Sequence, residues 1–252
     1  MEITAINNNL VKETVKLQQK KYRTESGKFL LEGGKCVQEA YDSGIEIEHV
    51  FVLAKKADNY GFIKDKIIKT NSAVLKKIST TDSAPEIVAV GIQPENDLNR
   101  LKNSKKVVLL ENISDAGNLG TIIRSAAAFG IDSVVLYGNT VDLYNPKCVR
   151  SAVGNLWKIN IVHLDKLQAL KDIFNTWEIV ATLPKTKNSV MLNEWKPSDK
   201  TVVMFGSEAD GLTDELINFA NKNLTIEMSG KVESLNLSVS AGVVMYKLGY
   251  TK

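Results

Sequence analysis

The chain is expected to adopt an α/β fold, with a mostly parallel sheet in a larger C-terminal part and a smaller α/β unit before it. Three observations carry this expectation. From Val107 onward the apolar residues come in continuous runs separated by helical stretches, as in strands buried on both faces. A polar, basic stretch from Asn99 to Lys106 separates that region from a first part with shorter elements. The 252 residues also exceed what most single cores hold, so two domains are expected, over 1–97 and 105–252.

In the first part, residues 9–21 have helical spacing, with Leu10, Val11, Thr14 and Leu17 on one side and lysines on the other. Residues 27–33 predict a strand ending in a turn, 34–43 a helix closed by Gly44, and 49–53 a second strand. The polar groups at 70–72 and 80–83 are connectors rich in helix-capping side chains, and 87–92 is a last strand before Pro94. In the second part the strands are expected at 107–111, 133–138, 159–164, 178–183, 201–206 and 224–228.

Composition excludes several classes. An apolar fraction of 44% with 24% charged residues is that of an ordinary folded chain. The longest apolar runs fall far short of the roughly 18 residues of a membrane span, and no apolar block with a small-residue cleavage site follows the N-terminus. A cytoplasmic protein is expected. The two cysteines, Cys36 and Cys148, lack metal or redox spacing and read as buried thiols. The two histidines, His49 and His163, sit among strand-like residues, so no metal site is expected. The net charge of +3 says little, but Lys12, Lys16, Lys20, Lys21, Arg23 and Lys28 face only Glu13 and Glu25 in one short stretch, which marks a candidate RNA surface.

Neither G-x-G-x-x-G nor G-x-x-x-x-G-K-[ST] occurs, which counts against Rossmann-type dinucleotide binding and P-loop nucleotide hydrolysis. Three other segments stand out. Asn118-Leu119-Gly120-Thr121-Ile122-Ile123-Arg124 lies at the start of a small-residue helix, where N-terminal amides and a guanidinium would together suit a phosphate. Gly206-Ser207-Glu208, followed by Gly211-Leu212, lies at the C-terminal end of a strand, where open α/β sheets place ligands; Ser207 or Asp210 is a candidate cap for a helix starting near Thr213. Ser234-Leu235-Asn236-Leu237-Ser238-Val239 opens the last helix, with Ser234 as a candidate cap.

In order and spacing, these three segments resemble the motifs of the SpoU/TrmH family of SPOUT methyltransferases, and residues 145–154 resemble the family's R-[AS]-[SA]-x-G stretch through Arg150, Ser151, Ala152 and Gly154. Ala209 and Asn155 depart from it, standing where glycine and alanine are frequent. The resemblance implies a C-terminal domain tied in a deep trefoil knot and, more loosely, an N-terminal RNA-binding domain like the ribosomal protein L30e. It implies methyl transfer from S-adenosylmethionine to a ribose 2′-hydroxyl of structured RNA, ribosomal ahead of transfer RNA, in a homodimer formed through the knotted domain. Arg124, Asn118, Glu208, Ser234 and Asn236 would then serve catalysis, and Thr182, Leu183, Gly206, Ile226, Met228 and Leu235 would line the cofactor pocket. RNA would be held by Lys20, Lys21, Arg23, Lys28 and Arg150. A non-catalytic RNA-binding protein of the same fold is the main rival, and a nucleotide-using hydrolase the next.

Overall fold

The computed structural model describes residues 1–250. Two compact units emerge, one of residues 1–95 with 142–157, the other of residues 96–141 with 158 onward.

Unit 1 runs α1 (Asn9–Lys16), α2 (Lys20–Ser26), β1 (Lys28–Glu32), α3 (Gly34–Asp42), β2 (Ile47–Leu53), a 3-10 segment over Ala54–Lys66, β3 (Ile67–Thr70), α4 (Ser72–Ile78) and β4 (Ile87–Ile92). In unit 2 follow α5 (Leu98–Lys102), β5 (Lys106–Glu111), α6 (Ala116–Ala128) and β6 (Ser133–Tyr137), and then α7 (Pro146–Ala152), which belongs to unit 1. Unit 2 resumes with β7 (Asn160–Leu164), α8 (Leu167–Phe174), β8 (Glu178–Thr182), β9 (Ser189–Met191), β10 (Thr201–Phe205), α9 (Asp214–Phe219), β11 (Lys222–Thr225) and α10 (Leu237–Tyr250).

In unit 1 the strand order is β1-β4-β2-β3, and only the β2–β3 pair is parallel. One sheet face carries Leu30, Phe51, Ile68, Val88 and Val90, packed with Val11 and Leu17 from the first helical region and Val74, Leu75 and Ile78 from α4. The expected single helix over 9–21 is instead α1 and α2, broken at Leu17–Gln19. Tertiary bonds account for the break: the buried Arg23 donates through Nη1 to the Leu17 carbonyl at 2.8 Å, and the Gln18 amide donates to the carbonyls of Lys77, Ile78 and Ser79 at the end of α4.

Residues 142–157, expected within the second domain, are part of unit 1. Tyr144 and Trp157 pack their rings 4.9 and 5.3 Å from that of Phe29 on β1. Gly91 makes room for that ring, because a Cβ there would lie 2.7 Å from it. The Arg23 guanidinium reaches Asp142 with Nε at 2.7 Å, and Arg150 donates to Glu32 at 2.7 Å and to Thr80 at 2.5 Å. A cut after residue 95 therefore strips α7 of the partners that bury it, and Asp142 of its cation.

The sheet of unit 2 is wholly parallel, in the order β7-β6-β5-β10-β8-β11-β9. Val107, Leu109, Val202 and Met204 face a cluster completed by Leu170, Phe174 and Leu216 of α8 and α9. The alternate residues Val108, Leu110, Val203 and Phe205 are just as buried, so both faces are covered, which explains the unbroken apolar runs. Helix α10 lies against α6, and a Cβ at Gly249 would overlap the Phe129 carbonyl.

The run expected as a strand over 224–228 begins and ends earlier, as β11, whose pairing stops at Leu224–Thr182 on the β8 side and at Thr225–Met191 on the β9 side. Cys36 and Cys148 are both buried and in no disulfide with each other, and burial pushes the Cys36 thiol up to about 12. Among the described residues no helix is long and apolar enough to cross a membrane.

Candidate active site

Because β5, β10, β8 and β11 are adjacent and parallel, their C-terminal ends at Glu111, Phe205, Thr182 and Thr225 leave the sheet along one edge. The segments leaving β5, β10 and β11 each carry one of the three motifs.

These motifs are joined by a chain of side-chain hydrogen bonds with a fixed direction. Asn236 turns its Oδ1 onto the start of α10, accepting from the Ser238 amide at 2.9 Å, the Ser238 hydroxyl at 2.6 Å and the Val239 amide at 3.3 Å. Only the NH2 of Asn236 is then left to face outward, and it donates to Asn118 Oδ1 at 3.2 Å. That commits the Asn118 NH2 to donate in turn, and it meets Glu208 Oε1 at 2.7 Å. Asn236, not Ser234, caps this helix; Ser234 is exposed and makes no hydrogen bond among the described residues.

The loop after β10 is folded tightly on itself. Ser207 and Gly211 exchange two backbone bonds of 3.1 Å, and Ser207 Oγ accepts from the Asp210 amide at 3.0 Å. A Cβ at Gly206 would overlap the Gly211 carbonyl, and Gly211 itself has φ +70°. Thr213, rather than Ser207 or Asp210, caps α9. A residue the motifs did not reveal fastens this loop: Glu111, only 2% exposed, accepts from the Thr213 amide and hydroxyl, each at 2.8 Å. Its single sequence signal is a carboxylate ending an apolar strand.

Arg124 lies eight positions into α6, in its third turn and not at its start, so it is about 12 Å from the helix N-terminus. That terminus is capped by the Asp115 carboxylate, which accepts from the Asn118 amide at 2.8 Å, so no phosphate cradle forms there. Arg124 is exposed and has no ion pair or hydrogen bond among the described residues.

Of the expected cofactor residues, Thr182 ends β8 and Leu183 follows it, Gly206 follows β10, and Ile226 and Met228 follow β11. Thr182 is bonded to the Met204 carbonyl at 2.8 Å and Thr225 to that of Leu183 at 2.9 Å, which locks these strand ends together. Met228 and Leu235 are 43% and 37% exposed, on a segment without helix or strand. Such a segment leaves main-chain donors and acceptors free to recognise a nucleoside, and its uncovered apolar side chains give that ligand a surface to lie on. The residues present thus fit S-adenosylmethionine.

Of the expected RNA residues in unit 1, Lys20 and Lys21 are exposed, and Lys28 pairs with Glu48 at 2.5 Å. Arg23, by contrast, does not face RNA: at 2% exposure and ion-paired to Asp142, it is a structural residue. The Arg150 guanidinium is engaged by Glu32 and Thr80.

Replacing Glu111 by alanine would leave the Thr213 amide and hydroxyl without their partner, at a cost of about 2–3 kcal/mol. Amide exchange at Gly211, Leu212 and Thr213 should accelerate, and by more than in Asn118→Ala, which keeps both bonds to Thr213. Unaltered exchange in Glu111→Ala would show that the loop holds itself.

A model of the SpoU rRNA methylase family matches residues 105–246, and one of the MRM3-like substrate binding domain matches residues 8–89. The chain is 30% identical to the 23S rRNA (guanosine(2553)-2′-O)-methyltransferase RlmP of Bacillus subtilis, over 98% of both chains. It is 26% identical to the 23S rRNA (uridine(2479)-2′-O)-methyltransferase of Streptomyces viridochromogenes, over 97% of this chain and 90% of that one. The AdoMet-bound rRNA methyltransferase from Sinorhizobium meliloti superposes with a TM-score of 0.87 at 27% identity, covering 98% of this chain and 96% of that one. The hydrogen-bonded motifs at the edge of the parallel sheet are thus those of a known group, and the chain belongs to the SpoU rRNA methylase family.

Proposed function

We propose that the protein transfers a methyl group from S-adenosylmethionine to a ribose 2′-hydroxyl of ribosomal RNA. The observation that carries this reading is the chain Glu208–Asn118–Asn236, which draws the three family motifs to one edge of the sheet with Arg124 left free nearby on the same helix as Asn118. Relatives of similar length act on 23S rRNA at a guanosine in one case and a uridine in another, so membership of the family leaves the modified nucleotide open.

Bound S-adenosylmethionine supplies an electrophilic methyl group. The protein's part is to hold the ribose in line and ease loss of its hydroxyl proton. The Arg124 guanidinium offers only N–H donors and no acceptor, so it acts by gripping a substrate phosphate and polarising the hydroxyl, not by taking the proton. Asn118, Glu208 and Asn236 fix the site's walls, and the exposed Ser234 hydroxyl is available to the ribose. Gly206, Ile226, Met228 and Leu235, with Thr182 and Leu183 behind them, form the cofactor pocket.

The reading extends to the knotted chain path that the resemblance implies, to a cytoplasmic location, and to a homodimer formed through α10. Val239, Val243, Tyr246 and Tyr250 leave one face of that helix 41–62% exposed, with Tyr246 and Tyr250 meeting the Phe129 ring edge to face at 5.7 and 6.3 Å. A continuous apolar face of this kind calls for cover. Sedimentation should find the protein as a dimer and Tyr246→Glu as a monomer; a wild-type monomer would remove this part of the reading.

Arg124→Ala should keep cofactor affinity by calorimetry, because the side chain makes no bond among the described residues, while single-turnover methyl transfer falls on the order of 10²-fold or more. Arg124→Lys should recover little, since an ammonium cannot span phosphate and ribose as the planar fork does. Most of the activity surviving in Arg124→Ala would return this arginine to an ordinary surface role.

A further inference from the structure

Unit 1 contains a cleft of about 470 Å³ between the α1–α2 pair and the strands, and no residue of the candidate active site or cofactor pocket lines it. We propose that this cleft is a subsite for one unpaired, amino-bearing nucleobase of the RNA substrate, stacked on Tyr22. The proposal rests on the methyltransferase reading only for the identity of the RNA.

The floor is apolar and shaped by the fold. Leu10 and Leu17 come from the first helix and the turn after it, and Val90 from β4, opposite His49 on β2 in the sheet register. The volume holds a base with its ribose and lies in the range of sites that enclose small ligands. Tyr22 on α2 offers the aromatic surface, half-buried at the cleft wall, and its hydroxyl has no hydrogen-bond partner among the described residues. The ammonium groups of Lys16 and Lys21 each lie over its ring, 5.7 Å from the centre, on flexible stems that can swing to the phosphate of a nucleotide stacked there. Single-stranded RNA is held in this manner, by an aromatic platform beside cations.

The rim selects among bases. Glu13 and Glu48 are paired with Lys16 and Lys28 at 2.7 and 2.5 Å, but Glu25 is held by Lys21 only at 3.9 Å, which leaves its carboxylate to accept from a ligand. A carboxylate accepts from the exocyclic amino group of adenine, cytosine or guanine and is repelled by the carbonyls of uracil. At the floor, burial pushes His49 below the usual imidazole range despite the opposing charge of Glu48, so the ring meets the base as a neutral donor or acceptor. The charged groups facing it are Glu48, 3.4 Å away, and Lys28.

The test uses the full chain, with AMP, CMP, GMP, UMP and ribose 5-phosphate as probes, read by NMR shifts of the Tyr22 and His49 rings. The three amino-bearing nucleotides should shift both rings at lower concentration than UMP, and ribose 5-phosphate should leave them in place. Tyr22→Leu, which keeps the packing but removes the ring, should weaken AMP binding roughly 10-fold, and Tyr22→Phe should bind as wild type. Equal shifts from ribose 5-phosphate, or AMP binding undiminished in Tyr22→Leu, would overturn the subsite. Calorimetry with S-adenosylmethionine on Tyr22→Leu, which lacks the stacking ring of this cleft, reports on the methyltransferase reading, so either can fail while the other stands.

Discussion

The candidate site depends on one directional run of hydrogen bonds. It starts at the backbone amides of a helix end, passes through two side-chain amides and stops at a carboxylate, linking positions 90 and 118 residues apart. Each amide has one donor end and one acceptor end, so fixing Asn236 on α10 fixes Asn118, and Asn118 fixes the partner of Glu208. Three segments that would otherwise move separately share one arrangement.

Around this run the structure separates support from chemistry. Glu111 and the Thr182 and Thr225 hydroxyls are spent on holding strand ends and loops. Arg124, Ser234 and Glu208 are exposed, with the side chains of Arg124 and Ser234 making no hydrogen bond among the described residues. Groups left this way cost little to fold and are free for a ligand, whereas the same groups buried without partners would be expensive.

How much of this the sequence disclosed followed from burial. Strands such as β5, β6 and β10 are covered on both faces, so their apolar runs were legible and their bounds agree within a residue. The short edge strands β3 and β9 carry mixed residues and left no run to read. Arg23 looked like one more cation in a basic stretch because its partner, Asp142, lies 119 positions away. The same long-range contacts assign residues 142–157 to unit 1, which no local pattern announces. Within the site, the motif residues were readable as a resemblance, but Glu111 was not, since a carboxylate ending a strand carries no motif.

The central claim is that Asn118 and Asn236 act as one unit. A double-mutant cycle on single-turnover methyl transfer tests it most directly, with Asn118→Ala, Asn236→Ala and the pair compared with wild type. The hydrogen-bond chain predicts strong non-additivity, the double variant being scarcely slower than the worse single one, because breaking either link already releases Glu208. Losses that simply add would contradict the account and leave the two asparagines as independent neighbours.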